Sequence, residues 1–257
     1  FFKHIGIISG VGVGGGSLVY ANTLPKPKKA FYNTGSWAGI TDWEKELEPH
    51  YETAWKMLGA DVNPNLELGD TVLKDLANSQ QRSEHFSPTK VAVFFGKADK
   101  TVPDPYFNGE GPERSGCNMC GSCMTGCRYN AKNTLDKNYL YLAQKLGVKI
   151  IAEKEVSDII PINNTDGVDG YELTFKNSTS YFKRKTKVQA KGIVLSGGVL
   201  GTVKLLLKLK EKSLPKLSEM VGHDIRSNNE SLIFSVSPDK EKDFTKGIAI
   251  GSIYHPD

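Results

Sequence analysis

No apolar run in this 257-residue chain reaches the length needed to cross a bilayer. The opening Phe1-Phe2 has no basic segment before it and no small-residue cleavage pattern after it, so it does not read as a secretory signal. Charge of one sign is also scarce. The formal net charge is only +4, and the basic runs Lys26–Lys29, Lys183–Lys191 and Lys204–Lys212 are scattered. Each reads as a solvated face rather than a nucleic-acid stripe. Cysteine is absent except at four positions, all between Cys117 and Cys127. Four cysteines in so short a span crowd any disulfide pairing, so a reducing, cytoplasmic setting is expected. There is no initiator Met, and the last residues form no finished element, so the chain reads as an internal piece of something longer.

What remains describes a globular chain. Hydrophobic residues make up 39% and charged residues 24%, enough for a sizeable core in one large or two small domains. The densest signal is Ser9-Gly-Val-Gly-Val-Gly-Gly-Gly-Ser17, which holds Gly10, Gly12, Gly14, Gly15 and Gly16. Without Cβ atoms such a run can turn through positive φ and press its N–H groups against a flat or anionic ligand. Gly10, Gly12 and Gly15 match G-x-G-x-x-G, and His4-Ile-Gly-Ile-Ile8 before them could be a strand. The dinucleotide fingerprint needs a helix, a second strand and an acid about 20 residues on. Pro25 and Pro27 break any helix, no hydrophobic strand follows, and the first acid is Asp42. The run is therefore a cofactor-contacting turn rather than a nucleotide fingerprint, with a plain structural turn as the alternative.

The cysteines follow C-x2-C-x2-C-x3-C, through Cys117, Cys120, Cys123 and Cys127. That is the bacterial ferredoxin spacing for a [4Fe–4S] cubane. Two features depart from it: no second cysteine set is present, and Arg128 stands where proline usually follows. A four-thiolate zinc knot and a loop of free thiols are the other two readings.

Periodicity gives the elements. Thr41 and Glu44 form a capping-box pattern, and Trp43, Leu47, Tyr51, Ala54, Trp55 and Leu58 repeat at helical spacing up to Gly59. A shorter helix is expected over Thr71–Ala77, a strand over Val91–Phe95, and a long loop over Lys100–Gly116. Another helix is capped by Asn133 or Thr134 and carries Leu135, Tyr139, Leu142 and Leu146. Short strands follow at Val148–Ala152, Val156–Ile162, Tyr171–Phe175 and Tyr181–Ala190. A buried strand, Gly192–Ser196, then meets Gly197, Gly198 and a leucine-rich helix. A strand, glycine turn and helix N-terminus in that order favour an anion.

Four segments in this order resemble one family. They are Gly12-Val-Gly-Gly-Gly-Ser-Leu-Val-Tyr-Ala-Asn22, the cysteine run continuing into Ala131-Lys-Asn-Thr-Leu-Asp-Lys-Asn-Tyr-Leu140, then Leu195-Ser-Gly-Gly-Val-Leu-Gly201, and Gly222-His-Asp-Ile-Arg-Ser-Asn-Asn229. Together they resemble the glucose–methanol–choline (GMC) oxidoreductases, in particular the cholesterol-oxidase-like branch. The resemblance implies an α/β chain, here an α+β fragment. It would comprise an incomplete doubly wound FAD-binding domain with a β-meander, and part of a substrate domain. Residues 1–30 and 131–222 would belong to the FAD domain. Residues 31–130 and 223–257 would belong to the substrate or cap domain, with the Cys-rich loop 113–130 inside it. The implied chemistry is oxidation of an alcohol, sterol-like by branch, by hydride transfer to flavin. Oxygen or another redox acceptor would take the electrons, and an iron–sulfur electron-transfer module is the alternative function.

The same resemblance implies cofactor contacts at Gly12, Gly14, Gly15, Gly16, Ser17 and Asn22, an adenine contact at Val156, and dinucleotide contacts at Ser196, Gly197 and Gly198. Asn228 and Asn229 would lie near the substrate. The family's main ADP motif would precede residue 1. Its catalytic His would lie beyond this chain, so His255 is not expected to be the base.

Overall fold

The computed structural model describes residues 9–163, 166–225 and 231–256. The possible strand at His4–Ile8 and the pair Asn228 and Asn229 lie outside those residues. In chain order the helices are α1 (Lys29–Tyr32), α2 (Trp43–Met57), α3 (Leu68–Ser79), α4 (Tyr139–Lys145) and α5 (Val199–Lys210). The strands are β1 (Asp61–Val62), β2 (Phe86–Pro88), β3 (Lys90–Val91), β4 (Thr101–Val102), β5 (Arg114–Ser115), β6 (Lys154–Pro161), β7 (Tyr171–Asn177), β8 (Lys185–Ala190) and β9 (Ser252–Tyr254). All pairs among these strands are antiparallel, in three two-stranded ladders and one three-stranded meander. The result is a mixed α/β chain with small sheets. No helix among the described residues is long and apolar enough to cross a membrane.

The chain divides into two compact units. One comprises residues up to Lys149 together with those from Ser237 onward, and the other is Ile150–Val236.

In the first unit, α2 is capped by Asp42, whose carboxylate accepts the Lys45 N–H at 3.2 Å. The expected cap was Thr41, one position earlier. Glu44 and Glu46 in the first turn and Lys56 in the last complement the helix dipole. The helix α3 is longer than its periodicity suggested because Glu67 and Asp70 cap it reciprocally. Asp70 also accepts Ser252 Oγ at 2.6 Å, tying β9 to the helix. The expected strand Val91–Phe95 is shorter: β3 ends at Val91, and beyond it Val93 makes only an isolated bridge to Lys132. Those residues instead form the apolar core, with Val91, Val93, Ala131 and Ile248 buried together. The expected helix after Thr134 is split. A 3-10 turn covers Leu135–Lys137, and α4 begins only after Asn138, whose ψ of −95° interrupts the run.

In the second unit the meander β6–β7–β8 forms where short strands were expected, with a bulge between Val156 and Asp158. Its third strand begins at Lys185, so Tyr181 and Phe182 lie outside it and are 92% and 78% exposed. Two expected strands do not form. Val148–Ala152 is irregular, and so is Gly192–Ser196, where Val194 is 89% exposed. An all-apolar strand needs neighbours on both edges, and no described strand pairs with it here.

Candidate functional site

The glycine run folds as an exposed turn. Gly14 has φ 111° and caps a 3-10 turn, Gly15–Leu18. Gly14 is the one buried member, and a Cβ there would come within 3.2 Å of Asp136 Oδ1. Gly12, Gly15 and Gly16 are exposed. A Cβ added at Gly15 or Gly16 would meet nothing within 4 Å. The run thus has an open main-chain face and is not packed inside its own core.

Ser17 fixes that turn. Its hydroxyl donates to the Gly14 carbonyl at 2.7 Å and accepts the Leu135 N–H at 2.9 Å. Asn22 sits behind the turn in a left-handed conformation, φ 68°, fully buried. Its carbonyl accepts the Ala92 N–H at 2.8 Å, yet both atoms of its side-chain amide lack a partner. Asp136 Oδ1 is likewise buried without one. Buried polar atoms are normally satisfied, so these two orphans beside the glycine run have unfilled capacity for a polar ligand group. On both counts the run fits a flat, polar-edged cofactor.

Behind it lies a polar hub that the sequence reading missed. Lys132 is 1% exposed, and its ammonium donates to the carbonyls of Leu18, Tyr20 and Cys123 at 3.0, 2.8 and 2.8 Å. It also lies 4.7 Å from the centre of the Tyr20 ring. Burial pulls this ammonium down to about 8, against the pull of Cys123 and Cys127 in the opposite direction. Burial likewise pushes the Tyr20 phenol above its ordinary range, and its hydroxyl donates to the Asn133 carbonyl at 2.7 Å. Arg114, also 1% exposed, donates to Asn130 Oδ1, to the carbonyls of Ala131 and Lys132, and to Asn133 Oδ1. Asn133 and Asn138 complete the hub by donating to the carbonyls of Leu58 and Met57. Only the segment Ala131–Leu140, quoted for its family resemblance, pointed here. Isolated Lys and Arg residues otherwise read as surface.

The cysteine loop joins the same hub through Cys123. All four thiols are free and half-buried. The Cys117 thiol is pushed up by burial. At Cys127 burial acts the same way but is outweighed by the N–H groups of Lys132, Ala131 and Tyr129 and by the Lys137 charge, so its thiol is lowered. Among the described residues no three His, Cys, Asp or Glu side chains are placed to hold a metal ion. Neither metal reading of the spacing, the [4Fe–4S] cubane or the zinc knot, has a converged ligand set here; the four thiols instead line one small cavity.

In the second unit, Val156, Ser196 and Gly197 line one cavity of about 520 Å³ with Gly201, Lys204 and Lys208. Gly198 adjoins it as the N-cap of α5, with φ 81° and no side-chain cap. Lys204 and Lys208, read from sequence as a solvated face, thus border a concave site that runs from the first turn of α5 along its length to the last. Lys208 also donates to the Ser157 carbonyl at 3.0 Å. His255 is exposed at the end of β9, where its N–H donates to the His85 carbonyl at 3.1 Å.

The family profile for GMC oxidoreductase matches residues 3–209. The chain is 44% identical over 264 residues to a cholesterol oxidase of Acinetobacter baumannii, covering 100% of this chain and 48% of that relative. It is 42% identical over 265 residues to a cholesterol oxidase of Mycobacterium tuberculosis (strain CDC 1551 / Oshkosh), covering 99% and 45%. The chain spans about half the length of the curated relatives it matches. No solved structure matches it. On the profile match and on these relatives, the chain belongs to the GMC oxidoreductase family.

Proposed function

We propose that this chain is the cofactor-binding portion of an FAD-dependent oxidoreductase that oxidises an alcohol, with a sterol-like substrate suggested by the relatives' name. The observation that carries the reading is the open glycine face. Three of the residues that the family resemblance assigns to flavin contact, Gly12, Gly15 and Gly16, present exposed main chain on a turn fixed by Ser17. FAD held by these residues would supply the hydride acceptor for the alcohol carbon, with oxygen or another redox partner as the final acceptor.

The protein's own part is binding and orientation. Gly15 and Gly16 offer a face with no Cβ and no side chain against it, on a turn closed by the Gly15 N–H donating to the Gly12 carbonyl at 3.0 Å. Asn22 and Asp136 offer buried polar atoms still lacking partners. In the second unit, Val156, Ser196, Gly197 and Gly198 would contact the adenosine and phosphate end, where Lys204, Lys208 and the N-terminus of α5 favour negative charge. In this reading residues 1–30 and 131–222 contribute to a doubly wound FAD domain. Residues 31–130 and 223–257, Asn228 and Asn229 among them, contribute to the substrate domain. The four free thiols suit a reducing compartment.

Gly16→Val in the intact protein tests this. Nothing among the described residues stands within 4 Å of the new Cβ, so the melting temperature of flavin-free protein should not fall. Flavin affinity should drop at least about tenfold, or ~1.4 kcal/mol. A yellow variant with unchanged affinity would overturn the assignment.

A further inference from the structure

The flavin site leaves two neighbouring features of the second unit unused: a pair of exposed rings and the basic run that follows them. Tyr181 and Phe182 are 92% and 78% exposed, in the loop that joins β7 to β8. We propose that this loop is a docking tip for an anionic lipid surface, with the rings entering the bilayer interface and the basic side chains beside them binding headgroup phosphates. The inference is independent of the flavin assignment.

The loop is tied down by its own bonds. At its start the Ser178 N–H donates to the Glu153 carbonyl at 2.9 Å, and Thr179 Oγ1 donates to Glu153 Oε2 at 2.9 Å. At its end Lys183 Nζ donates to the Ser178 carbonyl at 3.1 Å, and the Arg184 N–H donates to the Phe182 carbonyl at 2.8 Å. A segment already held in shape loses little conformational freedom on binding. The rings meet edge to face, their centroids 5.3 Å apart. Most of their apolar area still faces water, so moving it into an apolar phase is favourable. Tyrosine suits the bilayer interface in particular, because its ring is apolar while its hydroxyl stays hydrated.

The charge beside the rings has the matching sign. Lys183, Arg184 and Lys185 follow Phe182 directly, and all three are exposed. Lys185 also lines a cavity of about 540 Å³ together with Lys176, Lys187, Lys208 and Lys212. Three carboxylates act against those lysines. Asp158 lines the same cavity, Glu155 stands 3.3 Å from Lys176, and Glu172 stands 2.8 Å from Lys187. Among the described residues no carboxylate pairs with Lys183, Arg184, Lys185 or Lys212. Loop and cavity together therefore keep a positive balance. Apolar insertion flanked by basic residues is the combination that holds a peripheral protein on anionic lipid.

Ring geometry decides against a nucleic acid. Single strands bind by stacking successive bases on aromatic faces. Rings set at 87° to each other offer consecutive bases no common platform. A fluid interface makes no such demand, since it needs only apolar reach and charge of the right sign.

Flotation of the intact protein with vesicles tests the assignment. The vesicles are phosphatidylcholine alone, or phosphatidylcholine mixed in equal parts with phosphatidylglycerol. Binding to the mixed vesicles should be at least about tenfold tighter, and should weaken as salt rises. Changing Tyr181→Ser and Phe182→Ser together should weaken it by about tenfold or more. Changing Arg184→Gln and Lys185→Gln together should remove most of the preference for the mixed vesicles. All of these side chains are exposed, so thermal melts of both variants should match the wild type. No binding to either vesicle overturns the proposal. So does equal binding to both, or a ring variant that binds like the wild type. Tighter binding to an oligothymidylate strand than to the mixed vesicles would give the loop to nucleic acid instead. Flavin per chain should stay the same in both variants, so a failure of vesicle binding and a failure of flavin binding are distinct results.

Discussion

The first unit buries Arg114, Lys132, Asn133 and Asn138 beside an apolar core that includes Val91, Val93, Ala131 and Ile248, while the second buries Ile159, Phe175 and Leu209 with Thr174 as its buried polar residue. In the first, the segment 130–138 is held by side-chain bonds to groups far along the chain, among them Leu18, Tyr20, Leu58 and Met57. In the second, adjacent strands pair in sequence order and one helix follows. The first unit thus adds directional bonds made at long range to its apolar core. The second depends on local pairing and leaves Tyr181, Phe182 and Val194 largely exposed. The glycine run and the cysteine loop share the directional scaffold, since the Lys132 ammonium binds carbonyls on both sides, at Leu18, Tyr20 and Cys123. Their spacing is therefore set by one buried cation.

The largest effect is expected at Arg114. Arg114→Ala leaves the acceptors of Ala131, Lys132 and Asn133 without their charged donor, at a cost of about 3 kcal/mol or more. Arg114→Lys should recover little of this, because an ammonium cannot reproduce the guanidinium fork. Hydrogen exchange gives the reading. Protection should fall through the cysteine loop and the 3-10 turn at Gly15–Leu18, and hold in β6–β8. Equal loss in both units would show that the contrast between them has no energetic content.

Asp104 sharpens the comparison within the first unit. Its carboxylate collects N–H groups from Tyr106, Phe107, Gly109 and Gly111 at 2.8–3.2 Å. Burial alone would raise its pKa, but the four donors more than offset that and hold it below the ordinary value. Its folded-state pKa is therefore depressed. The stability it contributes is present above the unfolded value near 3.9 and is lost as pH falls through the folded value. Asp104→Asn should lower stability by about 1–2 kcal/mol at neutral pH. It should also flatten the acid limb of a pH series of thermal melts. An acid limb identical to that of the wild type would remove Asp104 from the account.

The second unit was largely legible because its signals are local. The short strands expected at Val156–Ile162 and Tyr171–Phe175 became paired strands, and the leucines after Gly198 became a helix. The failure at Gly192–Ser196 has a physical basis: apolar composition gives a strand only where neighbours supply hydrogen bonds on its edges. In the first unit, caps and periodicity gave α2 and α3, but nothing local reveals that Lys132 or Arg114 is buried. Charged residues go inside only when distant carbonyls meet them, and sequence spacing does not carry that information. The glycine run and the cysteine spacing were legible because each is a dense local pattern. The cavity that the cysteines share was not, since it forms only when the loop bonds to Gly247.

The smallest effect separates stability from binding at Gly201. It lies in the first turn of α5 and lines the cavity, and an added Cβ there would meet nothing within 4 Å. Gly201→Ala should therefore stabilise the second unit by about 0.5–1 kcal/mol, because alanine loses less backbone freedom in a helix than glycine does. Gly201→Leu keeps most of that gain and adds bulk to the space assigned to the adenosine end. Thermal melts of the flavin-free protein should rise for both variants, while flavin titration should weaken for leucine far more than for alanine. A leucine variant that is more stable and binds flavin as well as the wild type would leave the helix argument standing and remove the cavity from the cofactor site. A leucine variant destabilised without flavin would mean that the space is filled by this chain's own side chains, so that the second unit, unlike the first, has no open face at its glycine turn.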